Sequence, residues 1–123
     1  TVRQLAPPGF IIGISVGSVE EAVDAERSGA DYVAVSPVFS TSSKYDAGPG
    51  HGLNLIRTIR SVVRIPVIAI GGIGPGNAAR VIDAGADGIA VISAVVSQPD
   101  ITAAARGLYE IVAERKRARR KPV

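Results

Sequence analysis

A chain of 123 residues is one domain at most, long enough to bury a core, and its 46% apolar share is ordinary for a soluble protein. Without cysteine it has no disulfides, thiolate metal sites or cysteine nucleophiles, and no apolar run approaches the roughly 20 residues of a membrane span. The net charge of +3 hides an asymmetry, because Arg115, Lys116, Arg117, Arg119, Arg120 and Lys121 hold six of the 14 basic residues, leaving a body of 8 basic against 11 acidic groups. No aromatic side chain stands among those six to stack a base, so residues 115–123 read as a frayed, solvated helix end opposing the dipole. Nucleic acid and membranes are therefore not expected partners. Thr1 opens a chain that lacks methionine and any signal peptide, which reads as a cleaved or designed piece of a cytoplasmic protein.

The β-branched run at 11–16 predicts the first strand. Ser18-Val19-Glu20-Glu21 has capping-box spacing, and the helix it opens turns Val19, Ala22, Val23 and Ala25 inward before stopping at Gly29. A second strand spans 32–35, and an irregular stretch fills 36–52. A helix near 53–62 places Leu55, Ile56 and Ile59 inward. Pro66 opens the third strand, Asn77 starts a helix that Gly85 ends, and 88–92 forms the fourth strand. Asp100 caps a last helix that runs to about Glu114.

Strands and helices alternate throughout, the pattern of a parallel sheet with crossover helices. Gly29-Ala30-Asp31-Tyr32-Val33-Ala34-Val35 recurs as Gly85-Ala86-Asp87-Gly88-Ile89-Ala90-Val91. This is the repeating helix-to-strand joint of a (β/α) array, with Asp31 and Asp87 as turn formers at the N-terminal ends of their strands. The fold class is α/β, of (β/α)8 TIM-barrel type. Four units make half of such a barrel, whose full length is about 250 residues. The other half is expected from another chain, or is lost.

Chemistry should gather at the C-terminal ends of the strands. Ile68-Ala69-Ile70 runs into Gly71-Gly72, and Gly88-Ile89-Ala90-Val91 runs into Ile92-Ser93. Glycine lets a phosphate approach the backbone, and the N–H groups of the next helix start supply donors, so the pair reads as a phosphate clamp. Ser15, ending the first strand, can donate to a phosphate oxygen. After the second strand, Ser40, Thr41, Ser42 and Ser43 stand beside Lys44, a point charge among hydroxyl donors that suits an anion. His51, the one histidine, reads as a loop residue.

These segments, taken in order, resemble the thiamine-phosphate synthase family: Ile12-Gly13-Ile14-Ser15-Val16, Glu20-Glu21-Ala22, Gly29-Ala30-Asp31, Pro37-Val38-Phe39-Ser40-Thr41-Ser42-Ser43-Lys44, Pro66-Val67-Ile68-Ala69-Ile70-Gly71-Gly72-Ile73, Asn77, and Gly85-Ala86-Asp87 through Ser93-Ala94. The likeness covers about residues 10–108 and corresponds to the C-terminal half of the family's barrel. It implies a transferase that condenses hydroxymethylpyrimidine diphosphate with a thiazole phosphate, releasing pyrophosphate. By the same resemblance Ser15 and Lys44 hold the pyrophosphate and serve catalysis. Thr41, Ser42 and Ser43 bind the thiazole, while Gly72, Ile92 and Ser93 hold its phosphate. Magnesium is implied as cofactor with its aspartate ligands in the N-terminal half, so no metal ligand is assigned here. The chain alone is expected to be inactive and to pair with that half or self-associate. Gly17, Ser36 and Ser43 depart from the usual family pattern. A thiazole tautomerase-like paralogue would need a histidine where Pro37 stands, and a non-catalytic phosphate-binding half-barrel is the third reading.

Overall fold

The computed structural model describes residues 2–39, 52–91 and 93–120. A short helix α1 (Val2–Leu5) precedes β1 (Gly13–Val16), α2 (Val19–Arg27), β2 (Tyr32–Val35), α3 (Gly52–Val62) and β3 (Val67–Ile70). Then come α4 (Ala78–Asp83), β4 (Gly88–Ala90), α5 (Ser93–Val96) and α6 (Ile101–Arg120). The strands are all parallel and lie in sequence order, with β1 and β4 as the edges. This is the expected α/β array, four consecutive units of TIM-barrel type.

Local chemistry explains the element bounds. Ser18 Oγ accepts the Glu21 N–H at 3.1 Å, and Glu21 Oε1 accepts from Ser18 Oγ and from the Gly17 N–H, so the capping box forms. β1 starts at Gly13 rather than at residue 11, because the Asp31 carboxylate has already taken the Ile12 N–H. β4 stops at Ala90, short of the expected residue 92. Its partner β3 ends at Ile70, and Gly71, with φ +111°, turns that chain away. The sequence pattern contained no α5. At the other end, Asp100 Oδ1 accepts the Ala103 N–H (3.0 Å), as expected of a cap. α6 then continues past Glu114 to Arg120, since its basic run finds partners on α4. Arg115 bonds Asp83, while Arg119 donates to the carbonyls of Ile82 (3.2 Å) and Ala86 (2.7 Å).

Register decides which residues share a face. Ile14, Val33 and Val67 align, as do Val35, Ala69 and Ile89, and this face meets the helices. Val33, Val35, Val67 and Ala69 are wholly buried there with Ala22, Ile56, Ile59, Val81 and Ile82. Burying one such Val or Ile side chain stabilises by roughly 1.5–3 kcal/mol. Ser15, Tyr32, Ala34, Ile68, Ile70, Gly88 and Ala90 lie on the opposite face, where only Ala34 is buried. In a closed barrel that face is the interior. Tyr32 lies across Gly13 on it, so close that a Cβ at Gly13 would stand 2.0 Å from Tyr32 Cζ.

The repeated joint is a repeat in three dimensions as well. Asp31 Oδ2 accepts the Ile12 N–H (2.7 Å) and a guanidinium N–H of Arg3 (2.6 Å), and its own N–H donates to the Ile12 carbonyl. Asp87 Oδ2 likewise accepts the Val67 N–H (2.8 Å) and an N–H of Arg60 (2.5 Å), and its N–H donates to the Val67 carbonyl. The arginine stems pass close over Gly29 and Gly85, both at positive φ, leaving about 3 Å to a Cβ there. Both aspartates are turn formers at the N-terminal ends of the strands, as their sequence position implies.

Candidate functional site

Because all four strands are parallel, their C-terminal ends share one rim. Ser15 stands there on the uncovered face, exposed, its hydroxyl with no hydrogen-bond partner among the described residues. Two strands away, β3 opens into Gly71 (φ +111°) and Gly72 (φ +67°). A side chain at Gly71 would collide with the next segment, its Cβ only 2.8 Å from the Cα of Pro37. Among the described residues no carbonyl accepts the N–H groups of Gly72 or Ile73. Those two donors are available at this exit. The N–H groups of Asn77 and Ala78 both go to the Gly74 carbonyl, at 3.1 and 2.9 Å.

Asn77 has no capping bond to α4; its side chain reaches back into the turn. Its Oδ1 accepts the Gly74 N–H at 2.9 Å, and its Nδ2 donates to the Gly72 carbonyl at 3.0 Å. The segment that leaves β2 is fastened to the same place. The Val38 N–H donates to the Ile70 carbonyl (2.8 Å), the Phe39 N–H to the Gly71 carbonyl (3.1 Å), and the Gly52 N–H to the Val38 carbonyl (2.7 Å). Both described ends of the connection from β2 to α3 therefore sit beside the glycine pair.

Of the residues assigned from the sequence, the structure brings Ser15 and Gly72 to one rim and makes Ser93 the first residue of α5. Thr41, Ser42, Ser43, Lys44, Ile92 and His51 lie outside the described residues. Asn77 was legible only as a helix start; an amide side chain a few residues beyond a glycine pair was the signal for more. Arg3 and Arg60 were missed because 28 and 27 residues separate them from Asp31 and Asp87. Asp31, at the opposite end of the sheet, has a carboxyl held below the ordinary aspartate range by the Ile12 N–H and then by Arg3.

Four parallel βα units, with a hydroxyl and a glycine turn gathered at the strand exits, define half of a (β/α) barrel whose site lies at that rim. The sequence profile of the thiamine monophosphate synthase family matches residues 1–95, and the chain belongs to that family. It is 62% identical over 112 residues to the thiamine-phosphate synthase of Methanocella arvoryzae, covering 91% of this chain and 53% of that protein. The thiamine-phosphate synthase of Methanoregula boonei is 61% identical over 116 residues, which covers 94% of this chain and 54% of the relative. The solved structure of thiamine phosphate pyrophosphorylase from Pyrococcus furiosus superposes with a TM-score of 0.82 at 48% identity, over 92% of this chain and 53% of that one. The chain thus spans about half the length of the curated relatives it matches.

Proposed function

We propose that this chain supplies one half of a thiamine-phosphate synthase, the half that binds the thiazole phosphate and contacts the departing pyrophosphate. The observation that carries the reading is the Gly71–Gly72 turn at the exit of β3, with the Gly72 and Ile73 N–H groups unengaged among the described residues, in a chain of this family. Gly72, Ile92 and Ser93 would hold the phosphate of the thiazole substrate, with Thr41, Ser42 and Ser43 around its ring. Ser15 and Lys44 would grip the diphosphate of the pyrimidine substrate, Lys44 offsetting charge that grows on the leaving group. Small phosphorylated molecules, not nucleic acid, are the proposed partners. Supporting this, Arg115 and Arg119 are occupied with Asp83 and with backbone carbonyls. No helix among the described residues is long and apolar enough to cross a membrane, and a cytoplasmic location is proposed.

Magnesium does not fit the described residues. Among the described residues no three His, Cys, Asp or Glu side chains come together, and Asp31 and Asp87 stand at the end of the sheet opposite the rim. Its ligands are proposed on the complementary half. The same half, or a second copy of this chain, would cover the open face and pair with the edges. An open groove of about 270 Å³ lies along β1 by Ile14 and Ser15. An apolar one of about 300 Å³ separates β4 from α6, lined by Ile89, Leu108 and Tyr109. Free strand edges invite pairing, and the β4 edge has an apolar groove beside it.

Mixing the chain with the first half of the Methanocella arvoryzae relative tests the reading. With magnesium, hydroxymethylpyrimidine diphosphate and thiazole phosphate, the mixture is expected to make thiamine phosphate and pyrophosphate, and neither half alone does. A stoichiometric complex that binds neither substrate overturns the proposal.

A further inference from the structure

The structure assigns Asn77 the part of a positioning residue for the phosphate site; the inference rests on the functional reading above, which places a phosphate at Gly72. The amide side chain grips the turn twice. Nδ2–H donates to the Gly72 carbonyl (3.0 Å), and Oδ1 accepts the Gly74 N–H (2.9 Å). A third tie runs through the backbone, where the Asn77 N–H donates to the Gly74 carbonyl (3.1 Å).

A peptide unit is planar and trans, so its N–H points opposite to its C=O. Fixing the Gly72 carbonyl on Asn77 therefore fixes the Ile73 N–H on the other side of the turn, away from Asn77. Gly72, at φ +67°, has no side chain to hold its own peptide orientation, and glycine left unrestrained samples many conformations. A carbonyl that swung round would present a negative dipole to the anion in place of a donor. The Gly74 bond works in the same sense. It consumes an N–H that would otherwise need another acceptor and closes the turn at its far end. Asn77 thus touches no ligand; it sets which way the Gly72–Ile73 peptide faces.

Two variants separate this role from simple support of the fold. Asn77→Ala removes both side-chain bonds. Asn77→Asp keeps the acceptor for the Gly74 N–H and, while ionised, lacks the donor to the Gly72 carbonyl; protonation restores a donor. The full 123-residue chain is titrated with thiazole phosphate and, separately, with inorganic phosphate, and the amide resonances of Gly72, Ile73 and Gly74 are followed. In the wild-type chain the Gly72 and Ile73 amides are expected to shift on binding. Asn77→Ala should weaken binding about tenfold, the effect of losing an orienting hydrogen bond. The affinity of Asn77→Asp, taken as a ratio to wild type at each pH, should recover as pH falls through the new carboxyl group's titration near pH 4. Taking the ratio cancels the titration of the phosphate itself.

Wild-type clamp amides that ignore both probes overturn the phosphate reading of the turn, and this inference with it. Normal wild-type binding with Asn77→Ala within twofold overturns the positioning role alone. So does an Asn77→Asp ratio that stays flat with pH while the variant keeps a dispersed spectrum.

Discussion

The role proposed for Lys44 is one that kinetics can test. A lysine that neutralises a departing pyrophosphate acts more strongly in the transition state than in the bound substrate. In the reconstituted enzyme Lys44→Ala is expected to lower kcat by about two or more orders of magnitude. A loss confined to KM would mark it as a ground-state contact. Asp31 is a residue of stability, and its lowered carboxyl pKa gives the sign. A carboxylate stabilised in the folded state adds stability above its unfolded pKa and loses it as pH falls through the lower folded value. The chain's thermal midpoint should therefore drop below about pH 4. Asp31→Asn, which still offers an oxygen to the Ile12 N–H, should flatten that part of the profile. An unchanged slope would show that other carboxylates govern it.

Among the elements, the two Arg–Gly–Asp joints are the units that recur. Arg60 joins α3 to the start of β3 and to the loop before β4, through Asp87 Oδ2 (2.5 Å) and the carbonyls of Val63 (2.8 Å) and Ile65 (3.0 Å). Arg60→Ala should destabilise the chain by about 2 kcal/mol in denaturant unfolding, the scale of charge-assisted bonds. Arg60→Lys should not restore it, since a single ammonium lacks the guanidinium's fork. A loss under about 0.5 kcal/mol, typical of a surface site, would deny the joint that weight. Half of this motif was legible in the chain, because Gly29-Ala30-Asp31 and Gly85-Ala86-Asp87 repeat within one short window. The arginines were not, because a partner across a whole strand–helix unit leaves no local pattern. The end of α6 was hidden for a similar reason. A run of like charges reads as solvated until Asp83 and the carbonyls at the end of α4 are known to face it. The glycine turn was plain in the sequence, but not the amide that holds it.

For the whole molecule, the two faces of the sheet are unequal. One is filled with Val33, Val35, Val67 and Ala69, and the other leaves Ile68 and Ile70 only partly buried. An acidic group on the second face is wet in the lone chain and dry in a closed barrel. Ile68→Asp should therefore change the stability of the isolated chain by less than about 1 kcal/mol, while weakening association with the complementary half more than tenfold. Sedimentation of the mixed halves checks this. Equal association by the variant would mean that the open face is not where they meet.

The connection between β2 and α3 is fastened at both of its described ends. Its departure at Phe39 is tied to Gly71 and its return at Gly52 to Val38, so both ends meet at the sheet. What lies between starts and ends at these ties, so it can be exchanged without moving them. Doubling the length of a flexible loop adds only about 0.6 kcal/mol of closure entropy. Exchanging residues 40–51 for longer or shorter segments should therefore alter which heterocycle is accepted while the strands and the glycine turn keep their places. On the proposed function, this connection, and not the barrel beneath it, would set the substrate range.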